Sequence, residues 1–117
     1  KFIVNMVQGT LVQVLAEGLV FGEKMGFSAD KILEVLDTRG VASPIFHLKG
    51  RAMSRNDFAR SLAMKYVNDG MHLVMNAARL VGLHLPAAEA ASKMYEKGVE
   101  AGFGEEDFSA VIKVLRK

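Results

Sequence analysis

Apolar residues recur at steps of three and four along nearly the whole chain, and no segment alternates with period two for long. That periodicity, with only two prolines, predicts an all-α fold of about six helices. The first helix is predicted from about Phe2 to Met25. Phe2, Ile3, Val4, Met6, Val7, Leu11, Val12, Val14, Leu15, Leu19, Val20 and Phe21 cover most of its circumference, so it should be buried nearly all round. A second domain or a second subunit must supply part of that cover, and Gly9, Gly18 and Gly22 would let another backbone come close. Gly26 closes this helix, Ser28 caps a second through about Arg39, and Gly40 ends that one. Ser43 and Pro44 read as N-cap and first position of a third helix, through about Ser54.

A fourth helix is expected from near Ser61 to Gly82, burying Leu62, Val67, Met71, Val74, Met75, Ala78 and Val81, with Gly70 anomalous at its centre. Pro86 starts a fifth, AAEAASKMYEKGVEA, which Gly102 ends. After the turn GFGEE, Asp107 is placed to cap a last helix, FSAVIKVLRK. No repeat, linker or low-complexity stretch divides the chain, so residues 1–117 form one helical domain.

A chain of 117 residues can build one core and is too short for two ordinary domains. Its Lys and Arg residues are interspersed with Asp and Glu, leaving a net charge of +2 and no basic stripe, so a nucleic-acid partner is not expected. The absence of cysteine removes disulfides and thiolate metal sites and favours a cytoplasmic location, or the mitochondrial matrix. No apolar run of membrane-spanning length and no signal-peptide pattern is apparent, so no membrane partner is expected; the chain opens on Lys rather than Met, and preceding residues are expected.

Lys1 and Asn5 are the only polar side chains in the opening KFIVNMV, and their i, i+4 spacing puts them on one face of an apolar helix. Such a pair is costly unless something uses it; the bland alternative is a cut chain end and a hydrogen-bonded core amide. His47, His72 and His84 have no i, i+4 or His-x-His relation, so no metal site is expected. Met71 and Met75 share a helical face with Val67, Val74 and Ala78, which is core behaviour. Ser43 and Asp107 are explained as caps, and Ser109 lacks a histidine to activate it.

The order Lys1-x-x-x-Asn5, Ala16-Glu17-Gly18, Lys24-Met25-Gly26, Gly40-x-Ala42-Ser43, Pro86 and Gly102-x-Gly104-x-x-Asp107-x-Ser109-Ala110-Val111 resembles the C-terminal domain of the β-hydroxyacid dehydrogenase family over essentially the whole chain. That family contains 3-hydroxyisobutyrate dehydrogenase and the glyoxylate/succinic semialdehyde reductases. The resemblance implies a fold like the 6-phosphogluconate dehydrogenase C-terminal domain, preceded by a Rossmann domain that binds NAD or NADP. It implies Lys1 as the active-site lysine, Asn5 as a substrate anchor, a small hydroxyacid or semialdehyde as substrate, and a homo-oligomer through the first helix. The chemistry suits those residues. Hydride transfer to a carbonyl leaves negative charge on oxygen that an ammonium can protonate, and in the reverse direction the lysine must be neutral, which burial or a nearby cation would favour. No GxGxxG turn occurs here, so the chain alone should be inert.

One helix departs from the family pattern. Counted back without gaps from Pro86, the family's Lys-Asp pair beside cofactor and substrate falls on Asp69 and Gly70, and an aromatic position falls on Leu62. A slip of one residue would align Asp69 with the family's Asp but put Asn68 at the lysine. Asp69 is thus a cofactor-contact position by resemblance, or simply a solvated residue beside a packing glycine. Two expectations follow: the substrate-binding and dimerisation half of an NAD(P)-dependent reductase, or a catalytically inactive relative used as an interaction module.

Overall fold

The computed structural model describes residues 1–116; Lys117, assigned above to the last helix, lies outside the described residues. Its axis is α1 (Phe2–Lys24), on which Val12, Leu15, Ala16 and Leu19 are buried at three- and four-residue steps. Packed around it are α2 (Ala29–Thr38), α3 (Pro44–Arg55), α4 (Met64–Leu80), α5 (Pro86–Gly98) and a short α6 (Ile112–Leu115), and the described residues form no β-strand. The core gathers Val12, Leu15 and Leu19 with Met53, Met64, Met71, Tyr95, Phe108 and Ile112. Methionine fills this interior, as the spacing of Met71 implied, because its unbranched chain adapts to irregular gaps.

Local chemistry sets the boundaries. Gly26 and Gly40 take φ of 95° and 72°, conformations that favour glycine, just past α1 and α2. Ser28 accepts a hydrogen bond from the Lys31 N–H at 3.2 Å and caps α2. At the start of α3 the Ser43 side chain makes no cap bond, and its Oγ is buried without a partner; Pro44 fixes the turn there instead.

α4 begins at Met64, not near Ser61. The Ser61 and Leu62 N–H groups donate to the Asp107 carboxylate, and Ala63 forms an isolated antiparallel bridge with Asp107, which holds this segment extended. Leu62 therefore lies outside α4, and Val81 follows its last residue; they are 42% and 77% exposed, not buried, and Met75 is half-buried, while Val67, Met71, Val74 and Ala78 are core as expected. The first free donors of α4 are met by the turn before Asp107, with Met64 N–H bonded to the Glu106 carbonyl at 2.8 Å and Lys65 N–H to that of Gly104 at 3.0 Å. α5 runs on into a π turn over Val99–Phe103 in which Gly102 has φ 96°, and the segment after Asp107 is a 3-10 turn, Phe108–Val111, before α6.

In the isolated chain α1 buries one stripe and leaves another open. Val4, Val7, Val14 and Phe21 are 41–69% exposed, and with Leu11 and the exposed Gly18 they follow alternating steps of three and four. By length and composition α1 is also the one described helix apolar enough to cross a membrane, a feature that reading for uninterrupted apolar runs overlooked because Asn5, Gln8, Gln13 and Glu17 punctuate it. Of the three glycines on α1, Gly9 and Gly22 meet neighbouring side chains of Met71 and Ile32, whereas nothing approaches Gly18.

Candidate functional site

Lys1, at the N-cap of α1, and Asn5 and Gln8 within it lie at helical spacing along a groove of about 400 Å³ whose opposite side is α4, through Tyr66, Asp69, Gly70 and Leu73. Leu62 and Phe108 complete its wall, and Gly9, Val67 and Met71 form its floor. Gly9 is what lets the two helices meet there, since a Cβ at that position would stand 3.0 Å from the Met71 Sδ. The Gly9 carbonyl also accepts a hydrogen bond from the buried Tyr95 hydroxyl at 2.5 Å, and burial pushes that phenol's pKa up, keeping it a donor.

The fold thus gathers around one groove the residues the sequence singled out: Lys1, Asn5, Asp69, Gly70 and Leu62. Lys1, Asn5 and Asp69 are exposed, and Lys1 and Asp69 are the only charged residues of the lining. Neither forms an ion pair among the described residues: Lys65, one helical turn before Asp69, is taken by Glu105 at 2.5 Å, and His72 lies 3.5 Å from Glu96. Gly70 is no packing glycine, because nothing lies within 4 Å of a Cβ built there and the space belongs to the groove.

Sequence reasoning missed the polar cluster behind this wall. Lys49, 6% exposed, donates from Nζ to both carboxylate oxygens of Asp107 at 3.1 and 3.0 Å and to Ser61 Oγ at 2.9 Å. Asp107 also accepts from Ser61 N–H and Oγ, Leu62 N–H, and Ser109 N–H and Oγ, the last at 2.6 Å. Burial alone would raise the Asp107 pKa, but the bonds from Ser109, Leu62 and Lys49 outweigh it and bring it down to about 2. Lys49 Nζ further sits 4.8 Å from the centre of the Phe108 ring. Asp107 is therefore a cap, as expected of it, and also the anchor that sets Leu62 and Phe108 beside the groove. The available signal was Lys49 itself, at helical spacing with Phe46, Gly50 and Met53 on the buried face of α3. His47, His72 and His84 are exposed and stand apart, beside Asp37, Glu96 and Glu89 respectively.

The described residues thus form an all-α domain with a lysine and an asparagine one turn apart in a largely apolar groove. Residues 1–115 match the family described as NAD-binding of NADP-dependent 3-hydroxyisobutyrate dehydrogenase, and the chain belongs to that family. Glyoxylate/succinic semialdehyde reductase 1 of Arabidopsis thaliana is 33% identical over 99% of this chain and 40% of its own length. A 3-hydroxyisobutyrate dehydrogenase from Salmonella typhimurium superposes with a TM-score of 0.93 at 26% identity, covering 97% of this chain and 40% of that one. The cytokine-like nuclear factor N-PAC of Aedes aegypti is 28% identical over 95% of this chain and 20% of its own length. The chain spans about two-fifths of the reductase and the dehydrogenase, and less of N-PAC.

Proposed function

We propose that these residues form the C-terminal substrate-binding and subunit-contact half of an NAD(P)-dependent oxidoreductase acting on a β-hydroxyacid or a small semialdehyde. The observation that carries this reading is the convergence of Lys1 and Asn5 on one groove with apolar walls. The residues present do not fit the phosphates of a dinucleotide: the lining offers one lysine against one carboxylate, and no strand leads into a glycine-rich helix start among the described residues. On this reading the dinucleotide, which supplies hydride chemistry, is held by a further domain of a longer chain, in keeping with the two-fifths of the reductase that these residues match. This chain's share is the proton and the positioning. Lys1 delivers a proton from Nζ to the oxygen of a carbonyl under reduction, and Asn5 holds the substrate's hydroxyl or carboxylate without adding charge. Phe108 and Leu62, fixed by Asp107, exclude water from one side.

The apolar stripe Val4–Phe21 on α1 supports subunit contact, since its three-and-four spacing suits a partner helix and the bare Gly18 would admit it closely. A second reading, an interaction module without catalysis, is supported by the carboxylate of Asp69 in the groove and by the similarity to N-PAC proteins, whose name is that of a nuclear factor and not of a reductase. Lys1→Ala and Asn5→Ala, made in the protein carrying its dinucleotide-binding domain, separate the two. The oxidoreductase reading expects kcat to fall ~10²–10⁴-fold for Lys1→Ala and KM to rise for Asn5→Ala. Unchanged turnover in Lys1→Ala would remove the catalytic assignment.

A further inference from the structure

The α4 side of the groove carries an unpaired acid beside an open space. Asp69 lines the groove without an ion pair among the described residues: Lys65, one turn before it, is engaged by Glu105, and Lys1 is the one cation of the lining, on the α1 side. Gly70 next to it sits in mid-helix, where glycine is a poor helix former, and no neighbour fills the volume its side chain would occupy. Around that space stand Leu62, Tyr66 and Leu73, 42%, 59% and 56% exposed in the domain, apolar surface suited to cover by a ligand.

We propose that the groove selects a monoanionic substrate with an apolar tail, Gly70 leaving the room for the tail and Asp69 rejecting a second negative charge. This rests on the reading of the groove as the substrate site. A single carboxylate or reacting oxygen is matched by Lys1, the only cation of the lining, and Asn5, an amide one turn from it on the α1 side. The carbons beyond it then lie against Tyr66, Leu73 and the gap at Gly70, where each methylene removed from water contributes about fourfold in affinity. A terminal carboxylate in the same place would face Asp69 with no cation to offset it, and like charges close together are disfavoured even where water screens them.

The test compares 3-hydroxyhexanoate with 3-hydroxyadipate, equal in length and differing in a methyl or a carboxylate end, and with the shorter 3-hydroxybutyrate. Turnover and calorimetric binding are both measured in the protein carrying its dinucleotide-binding domain. The expectation is a preference of about tenfold or more (about 1.4 kcal/mol) for the hexanoate over the adipate. Asp69→Asn should shrink that preference severalfold, and Gly70→Leu should shift the hexanoate-to-butyrate ratio toward the butyrate by about tenfold. Equal binding of hexanoate and adipate, a preference unaltered by Asp69→Asn, or no measurable binding of either acid would overturn the proposal. If calorimetry ranks the acids as expected while none is turned over, the groove's selection stands and the oxidoreductase reading falls.

Discussion

Lys49 and Asp107 illustrate how single residues tie the core to the groove. Removing the Asp107 carboxylate leaves the Lys49 ammonium buried without its counter-charge and frees the N–H groups of Ser61, Leu62 and Ser109. Breaking a buried pair from one side typically costs ~3–5 kcal/mol, so Asp107→Ala should lower stability by about that much in urea unfolding. Replacing Lys49 by Met together with Asp107→Leu should cost less than either single loss predicts, because the desolvation of both charges disappears with them. The folded pKa of Asp107, about 2, lies below the ordinary carboxylate value, so its stabilisation is fully present above about pH 4 and is lost as the pH falls toward 2. Urea midpoints measured from pH 5 to pH 2 should fall over that window, and less steeply in the double variant. Lys1 and Asn5 were legible as a polar pair in an apolar opening; Asp107 was legible only as a cap, because its partner Lys49 is 58 residues away in sequence.

At the scale of elements, glycines and prolines announced several helix ends, while Asn56 closes α3 and neither residue type marks the start of α4. Its boundary is set by hydrogen bonds from Asp107 and the 104–106 turn, contacts between distant segments that periodicity along the chain does not encode. Gly70 and Gly98 look alike in sequence, each inside a helix, but differ in surroundings. A Cβ at Gly70 meets nothing, so Gly70→Ala should stabilise the domain by ~0.5–1 kcal/mol through helix propensity. A Cβ at Gly98 runs into the buried Met64 side chain, so Gly98→Ala should destabilise despite the same propensity gain. Thermal unfolding of the two variants, with opposite shifts in Tm, checks the distinction.

Across the whole molecule, the amount of apolar surface on α1 was legible from composition, whereas its division between an inner and an outer stripe required the packing of α3, α4 and α5. Burying side chains such as Val7, Val14 and Phe21 at ~1.5–3 kcal/mol each when fully covered favours association, so the chain should sediment as a dimer at micromolar concentration and Val14→Glu should drive it toward monomer. A clean monomer without substitution would mean that the outer stripe serves another contact. The convergence of α1 and α4 on one groove was not readable from sequence, although five of the residues that line it, Lys1, Asn5, Leu62, Asp69 and Gly70, were singled out there. Proton delivery by Lys1 is probed without intermediaries by amine rescue of Lys1→Ala in the protein with its dinucleotide-binding domain, using semialdehyde reduction as the assay. Turnover should fall ~10²–10⁴-fold and be partly restored, in proportion to concentration, by added ethylamine. Wild-type turnover in Lys1→Ala without amine would contradict that role of Lys1.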